Sequence, residues 1–127
     1  MRVQMRLSCE SEEILKHFKV ENSEDKALKY SLGEIVEIIF SDIFEKDIKK
    51  INWENVKLID LNLAKDKAEF DYCYNICLNL SDETIARIAQ LQEFFASYFS
   101  MKRVHKGFAV RLVIKAYYIN QIGKNIF

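Results

Sequence analysis

Residues 69–80 read EFDYCYNICLNL, and this is the most regularly alternating stretch of the 127-residue chain. Aromatic and aliphatic side chains occupy every second position, while Asp, Asn and Cys fill the positions between them. A β-strand that buries one face and leaves the other in water has this period of two residues. The stretch therefore predicts a long strand, and it predicts that a sheet organises the fold.

A second strand is predicted directly before this one, at residues 56–64, where apolar side chains again alternate. The four residues 65–68 are enough for a hairpin loop between the two strands. If Ala64 lies opposite Glu69, the apolar side chains of both strands share one face, whereas a shift by one residue would bury Asp60 and Asn62. The sequence therefore predicts a hairpin in this register.

The periodicity of the remaining segments predicts helices and two more strands. Residues 2–9 alternate as a strand does, residues 10–20 fit a short helix, and residues 27–51 keep helical spacing along two adjacent apolar ridges. Ser81 is a suitable N-cap for a helix that ends near residue 100. The spacing of residues 108–119 fits both a helix and a strand, and their Val, Ile and Tyr content favours a strand.

In this order the elements are strand, helices, strand, strand, helix and strand. The order resembles the ferredoxin-like βαββαβ fold, an α+β two-layer sandwich with an antiparallel sheet, here with a doubled first helical connection. We expect one such domain over residues 1–127. The usual strand order of that fold would place Arg111 and Lys115, with Tyr117 on the same face, beside the polar residues of the first strand. The resemblance implies geometry and no particular activity.

Composition restricts the classes of function. The chain has 19 Lys and Arg against 19 Asp and Glu, so it carries no net positive charge that would hold nucleic acid by bulk electrostatics. The charge is unevenly distributed, because the residues after Glu93 include six basic side chains and no acidic one. No apolar run approaches the roughly 20 residues that span a bilayer, and the first residues do not resemble a signal peptide. We therefore expect a cytoplasmic protein without a membrane partner.

No motif predicts catalysis, a cofactor or a metal. The three glycines are isolated, so phosphate-binding loops of the Walker or dinucleotide type are absent from the sequence. The two histidines and three cysteines are scattered rather than spaced as metal ligands. No local pattern combines a nucleophile, a base and oxyanion donors. We therefore expect a protein that is not an enzyme.

The favoured prediction is a small protein-binding module, of the interaction or inhibitor and immunity type, that forms a homo-oligomer. It would act through the open sheet face or through the second apolar ridge of residues 27–51. The predicted binding residues combine the polar face of the first strand, that helix ridge and the basic face near the C-terminus: Arg2, Gln4, Arg6, Val36, Phe40, Arg111, Lys115 and Tyr117.

The alternative is a DNA-binding transcriptional regulator. The first 50 residues, a short strand RVQMRLS followed by two helices, resemble a ribbon-helix-helix unit. That resemblance implies that Arg2, Gln4 and Arg6 enter the DNA major groove, where Arg and Gln suit guanine and adenine edges. It also implies that the start of the second helix, predicted at residues 23–25, lies near a phosphate. A protein partner is favoured because acidic residues outnumber basic ones, 11 to 9, in residues 1–50.

Overall fold

The computed structural model describes residues 1–21, 30–61 and 73–127, and in these ranges the chain is mainly helical. Five α-helices and one short 3-10 helix, Ile48–Lys50, accompany two strands in the described part. In chain order the strands and α-helices are β1 (Arg2–Ser8), α1 (Cys9–Glu21), α2 (Leu32–Phe44), α3 (Trp53–Leu58), β2 (Cys73–Asn79), α4 (Asp82–Tyr98) and α5 (Lys106–Gln121).

The two strands pair with each other in an antiparallel, two-stranded ribbon. Arg2 lies opposite Asn79, Gln4 opposite Cys77 and Arg6 opposite Asn75. The inner face buries Val3, Met5, Leu7 and Leu78 against the helices. The predicted first strand is therefore confirmed, as is the 73–79 part of the stretch that predicted a long strand; residues 69–72 lie outside the described residues.

The ferredoxin-like sandwich is wrong, because the described sheet has two strands instead of four. Where a strand was predicted from residue 56, the chain forms helix α3, which begins after Asn52 and ends at Leu58. The side chain of Asn52 caps this helix by accepting the N–H of Asn55. Trp53 and Val56, one helical turn apart, are its buried residues, so the apolar spacing was helical at the start of the predicted strand.

The predicted hairpin register is also wrong, because residues 59–61 do not form the strand that it requires. Tyr74 lies opposite Leu7 rather than opposite Ile59, because β2 pairs with β1. Ile59 and Leu61 follow α3 without forming a strand. The predicted pairing of Ala64 with Glu69 lies outside the described residues.

The predicted strand at residues 108–119 is also wrong, because this segment lies within helix α5. Nine residues of α5 are buried, and they include the unbroken run from Leu112 to Ala116. A helix that is covered on all sides has no polar stripe, so its sequence lacks the 3.6-residue pattern that identifies a surface helix. The β-branched residues that favoured a strand serve here to pack α5 against β1 and the other four helices.

Other boundaries follow the local chemistry of the helix ends. Helix α1 confirms the predicted helix at residues 10–20, and α4 begins directly after Ser81, whose hydroxyl accepts the N–H of Thr84. Helix α2 is shorter than the predicted 27–51 segment, since Ser31 and Glu34 form a capping box that sets its start. Residues 27–29 lie outside the described residues.

The described chain contains the same strand-helix-helix unit twice. The first unit is β1, α1 and α2, and the second is β2, α4 and α5. Ser8 and Ser81 occupy equivalent places just before the helices, because the hydroxyl of each accepts the N–H of the residue three positions later, Ser11 and Thr84 respectively. When Ser8 is aligned with Ser81 in the sequence, Arg2 corresponds to Asn75, Gln4 to Cys77 and Arg6 to Asn79. Exchanging the two units converts the opposed pair Arg2–Asn79 into the pair Arg6–Asn75, whereas the pair Gln4–Cys77 is converted into itself. An approximate twofold axis therefore passes through the pair Gln4–Cys77.

Two glycines support this correspondence. Gly33 lies in the first turn of α2 and Gly107 in the first turn of α5, and each faces the backbone of the strand in the other unit. A methyl group at Gly33 would collide with the carbonyl oxygen of Asn79, and one at Gly107 with that of Arg6. Arg6 and Asn79 are equivalent positions, so each second helix begins against the strand of the opposite unit.

Candidate functional site

The outer face of the ribbon carries polar side chains from both strands. Six residues form this surface, which we call the ribbon face, and all six are exposed: Arg2, Gln4, Arg6, Asn75, Cys77 and Asn79. They are exposed because strand side chains alternate between faces, and the opposite face buries the apolar partners. The ribbon face therefore presents two cationic guanidinium groups and three amides on a rigid two-stranded support.

A groove of about 670 Å³ extends the ribbon face at the end of Arg6 and Asn75. The connection between α4 and α5 forms its other wall and contributes Arg103, His105 and Lys106, all of them exposed. Gln92 on α4 donates a 2.8 Å hydrogen bond to the carbonyl oxygen of Val104 and so fixes this connection. We call this the basic groove, because three of the side chains that line it are cationic and none is acidic.

Acidic side chains lie near the opposite end of the ribbon face, together with the N-terminal ammonium group of Met1. There helix α2 starts against Asn79, with Glu34 and Glu37 in its first two turns, whereas Asp42 and Glu45 lie near its other end. Glu37 accepts hydrogen bonds from the backbone N–H of Ser81 and from the hydroxyl of Thr84. Partial burial acts to raise the pKa of Glu37, but these hydrogen bonds outweigh it and lower the pKa below the usual 4.5. The Glu37 carboxylate therefore lies beside the end of β2 at neutral pH, close to the N-terminal ammonium group, which also acts to lower its pKa.

The structure brings together three of the predicted binding residues and separates the other five. Arg2, Gln4 and Arg6 share the ribbon face. Arg111 and Tyr117 are half-buried on helix α5, where the ring of Tyr117 contacts that of Phe18. Val36 and Phe40 have no exposed area, so these two residues of α2 are part of the core and offer no surface to a partner.

Lys115 is buried as well, and its ammonium group has partners within the chain. Its Nζ atom lies 3.7 Å from Oε1 of Glu10 and donates a 3.1 Å hydrogen bond to the carbonyl oxygen of Lys57. Only 7% of Lys115 and 8% of Glu10 is exposed, so this ion pair connects α5 with α1 and the end of α3 inside the molecule. The expectation that Lys115 stands beside Arg6 on an open sheet face is wrong.

Sequence patterns missed half of the ribbon face and the far wall of the basic groove. Asn75, Cys77 and Asn79 were predicted as a polar strand face, but their pairing with β1 joins residues that are far apart in the chain. Arg103 and Lys106 are two of the six basic side chains after Glu93, and the sequence alone assigns them no partner. The available signal was the repeated order of an alternating strand, a capping serine and a helix, as in RLSCES and NLSDET.

Comparisons with protein-family models, with curated proteins and with solved structures found no match. Within the described ranges, no three His, Cys, Asp or Glu side chains are grouped as metal ligands would be. None of the described helices has the length and apolar character needed to cross a membrane. The function is therefore argued from the ribbon face and the basic groove.

Proposed function

We propose that this protein binds double-stranded DNA, with the ribbon face in the major groove. The observation that carries the proposal is the antiparallel pairing of β1 with β2, which sets Arg2, Gln4 and Arg6 beside Asn75 and Asn79 on one exposed surface. The major groove is wide enough for a two-stranded β-ribbon. Arg can donate two hydrogen bonds to guanine, and Asn or Gln can pair in the same manner with adenine.

The basic groove supplies the second part of the interaction. Sequence-independent affinity for DNA comes mainly from Lys and Arg side chains near phosphates. Arg103 and Lys106 extend beyond the ribbon at the end of Arg6, where the DNA backbone would run along a groove-bound ribbon. The zero net charge of the chain is compatible with this arrangement, because the acidic side chains along α2 lie outside the basic groove.

This proposal extends the DNA-binding alternative that was predicted from the sequence. The difference is that both strands of the ribbon come from one chain. The protein-binding module and the homo-oligomer stay predictions. Burial of Val36 and Phe40 removes the helix ridge as their supporting argument. The open sheet face that remains for a protein partner is the same ribbon face.

Fluorescence anisotropy with a labelled duplex of mixed sequence at low salt tests the proposal. We expect Arg2→Ala combined with Arg6→Ala to weaken binding by about tenfold or more, since each removes a cation from the surface that lies against the DNA and a hydrogen bond to a charged group contributes ~1.5–3 kcal/mol. Binding of the unchanged protein should also weaken as salt increases, with a slope of about −0.9 per phosphate contact on logarithmic axes.

The matched control is Lys49→Ala combined with Lys50→Ala, which also removes two exposed cations but from the 3-10 helix. It should leave the affinity within about twofold of the unchanged protein. Absence of duplex binding at low salt would refute the proposal. So would an equal loss of affinity in both double variants, because bulk charge would then explain the binding.

A further inference from the structure

We propose that a single chain recognises a non-palindromic DNA site and contacts phosphates chiefly at the basic-groove end of the ribbon. This inference rests on the proposed DNA binding and specifies the kind of site that the ribbon face selects. Two independent differences between the strand-helix-helix units carry it. One lies in the side chains of the two strands, and the other lies in the charge of the two ends.

The two strands present different chemistry at equivalent positions. A ribbon built from two identical strands would show the same side chains to both halves of its site, so it would select matching half-sites. Here Arg2 corresponds to Asn75 and Arg6 to Asn79. Because a bidentate Arg favours guanine and a bidentate Asn favours adenine, the two halves of the site must differ in sequence.

The two residues that face each other on the approximate twofold axis also differ in chemistry. Gln4 and Cys77 face each other at the centre of the ribbon. The amide of Gln4 can both donate and accept hydrogen bonds, whereas a thiol is a weak donor and a weak acceptor. The central base pairs are therefore contacted mainly from the β1 side.

The two ends of the ribbon differ in charge as well. At the end of Arg6 and Asn75, the connection before α5 provides Arg103 and Lys106. At the end of Arg2 and Asn79, the described residues are those at the start of α2, where Ser31 and Glu34 form the capping box and Glu37 lies in the next turn, near the N-terminal ammonium group. Carboxylates at this end repel a phosphate, and the cations at the other end attract one. Phosphate contacts are therefore expected chiefly at the basic-groove end.

Selection from a duplex library randomised over about two helical turns tests the sequence part of this inference. The full chain should enrich a motif whose two halves differ, bound by one chain per duplex in sedimentation experiments. The variant Asn75→Arg with Cys77→Gln and Asn79→Arg makes equivalent positions alike, so its enriched motif should approach a palindrome. Thermal unfolding establishes that this variant is folded before selection.

Phosphate ethylation interference on the selected duplex tests the charge part. Interference should be concentrated at one end of the motif, and Arg103→Ala combined with Lys106→Ala should abolish it there. That double variant should also make the logarithmic salt dependence shallower by about two, whereas Lys49→Ala with Lys50→Ala should not change it.

The outcomes separate the two proposals. A palindromic motif, interference at both ends, or binding without sequence preference would overturn this inference and leave DNA binding standing. Failure to bind any duplex at low salt would instead overturn the proposed function, and the present inference with it.

Discussion

At the scale of single residues, the buried pair of Glu10 and Lys115 has the largest electrostatic consequence. Burial raises the pKa of Glu10 above its usual 4.5, although the neighbouring Lys115 acts to lower it, and Asp60 adds to the increase. The Oε2 atom of Glu10 is buried and accepts no hydrogen bond from the part of the chain that the structure describes. The carboxylate is therefore tolerated because Lys115 lies beside it.

Lys115→Met should reduce the free energy of unfolding by about 3 kcal/mol at neutral pH, because it leaves a buried carboxylate without its cation. A carboxyl whose pKa is raised in the folded state favours folding most below its unfolded pKa, and this contribution is lost as the pH rises through the folded pKa. The loss in the free energy of unfolding caused by Lys115→Met should therefore become smaller as the pH falls towards 4.5. Urea unfolding at several pH values measures this.

Two further variants serve as controls for the buried pair. Glu10→Gln added to Lys115→Met removes the uncompensated charge and should recover part of the lost stability. Lys46→Met interrupts the more exposed pair of Lys46 with Asp42 and should cost less than about 1 kcal/mol. A deficit for Lys115→Met that does not vary with pH would contradict this account of Glu10.

Gly107→Ala should destabilise the protein by about 1–3 kcal/mol, although alanine is the better helix former by ~1 kcal/mol. The added methyl group would meet the backbone of Arg6, and a strand that is hydrogen-bonded in the ribbon cannot easily move away. Gly33→Ala should act in the same direction through the backbone of Asn79. Thermal or urea unfolding measures both variants.

Gly123→Ala provides the comparison, since a methyl group there meets no atom within 4 Å but the backbone has φ of 86°. Its cost should be confined to the ~1–2 kcal/mol of the left-handed conformation. If Gly107→Ala proved more stable than the unchanged protein, the close approach of α5 to β1 would be refuted.

At the scale of elements, the ends of helices and the exposed strands could be predicted, whereas the buried elements could not. Ser81 identified the start of α4, and the alternation of Val3, Met5 and Leu7 identified β1, because each signal lies within one short segment. Helix α5 was missed because all of its sides are covered, so its burial depends on residues from the whole chain. Helix α3 was missed for a different reason, since it is only six residues long and has two buried residues, too few to show a helical period.

The central position of α5 predicts the order of hydrogen exchange. Amides from Ala109 to Ile119 should be the slowest to exchange and should open only with global unfolding, because α5 contacts β1 and all four other helices. Helix α4 is a suitable comparison, since it is one residue longer and has four buried residues against nine in α5. Native-state exchange followed by mass spectrometry measures the difference, and faster exchange in α5 than in α4 would contradict it.

At the scale of the whole molecule, the decisive feature is the pairing of two strands separated by more than sixty residues in the chain. The sequence allowed a resemblance to a ribbon-helix-helix unit over the first 50 residues, and it suggested Arg2, Gln4 and Arg6 as a polar surface. It did not show that a second strand-helix-helix segment supplies the partner strand, because strand register over a long separation leaves no local pattern. The apparent hairpin before β2 also offered a nearer partner.

The pairing of both strands within one chain makes ribbon assembly a unimolecular event. When two separate chains each contribute one strand, dilution dissociates the ribbon, and the complete form declines faster than the total protein concentration. In this protein the strands stay at a constant effective concentration set by the intervening chain. The fraction of molecules that carry a finished ribbon therefore does not change with protein abundance. Any ligand of the ribbon face then experiences a concentration of complete sites that rises in simple proportion to the number of chains.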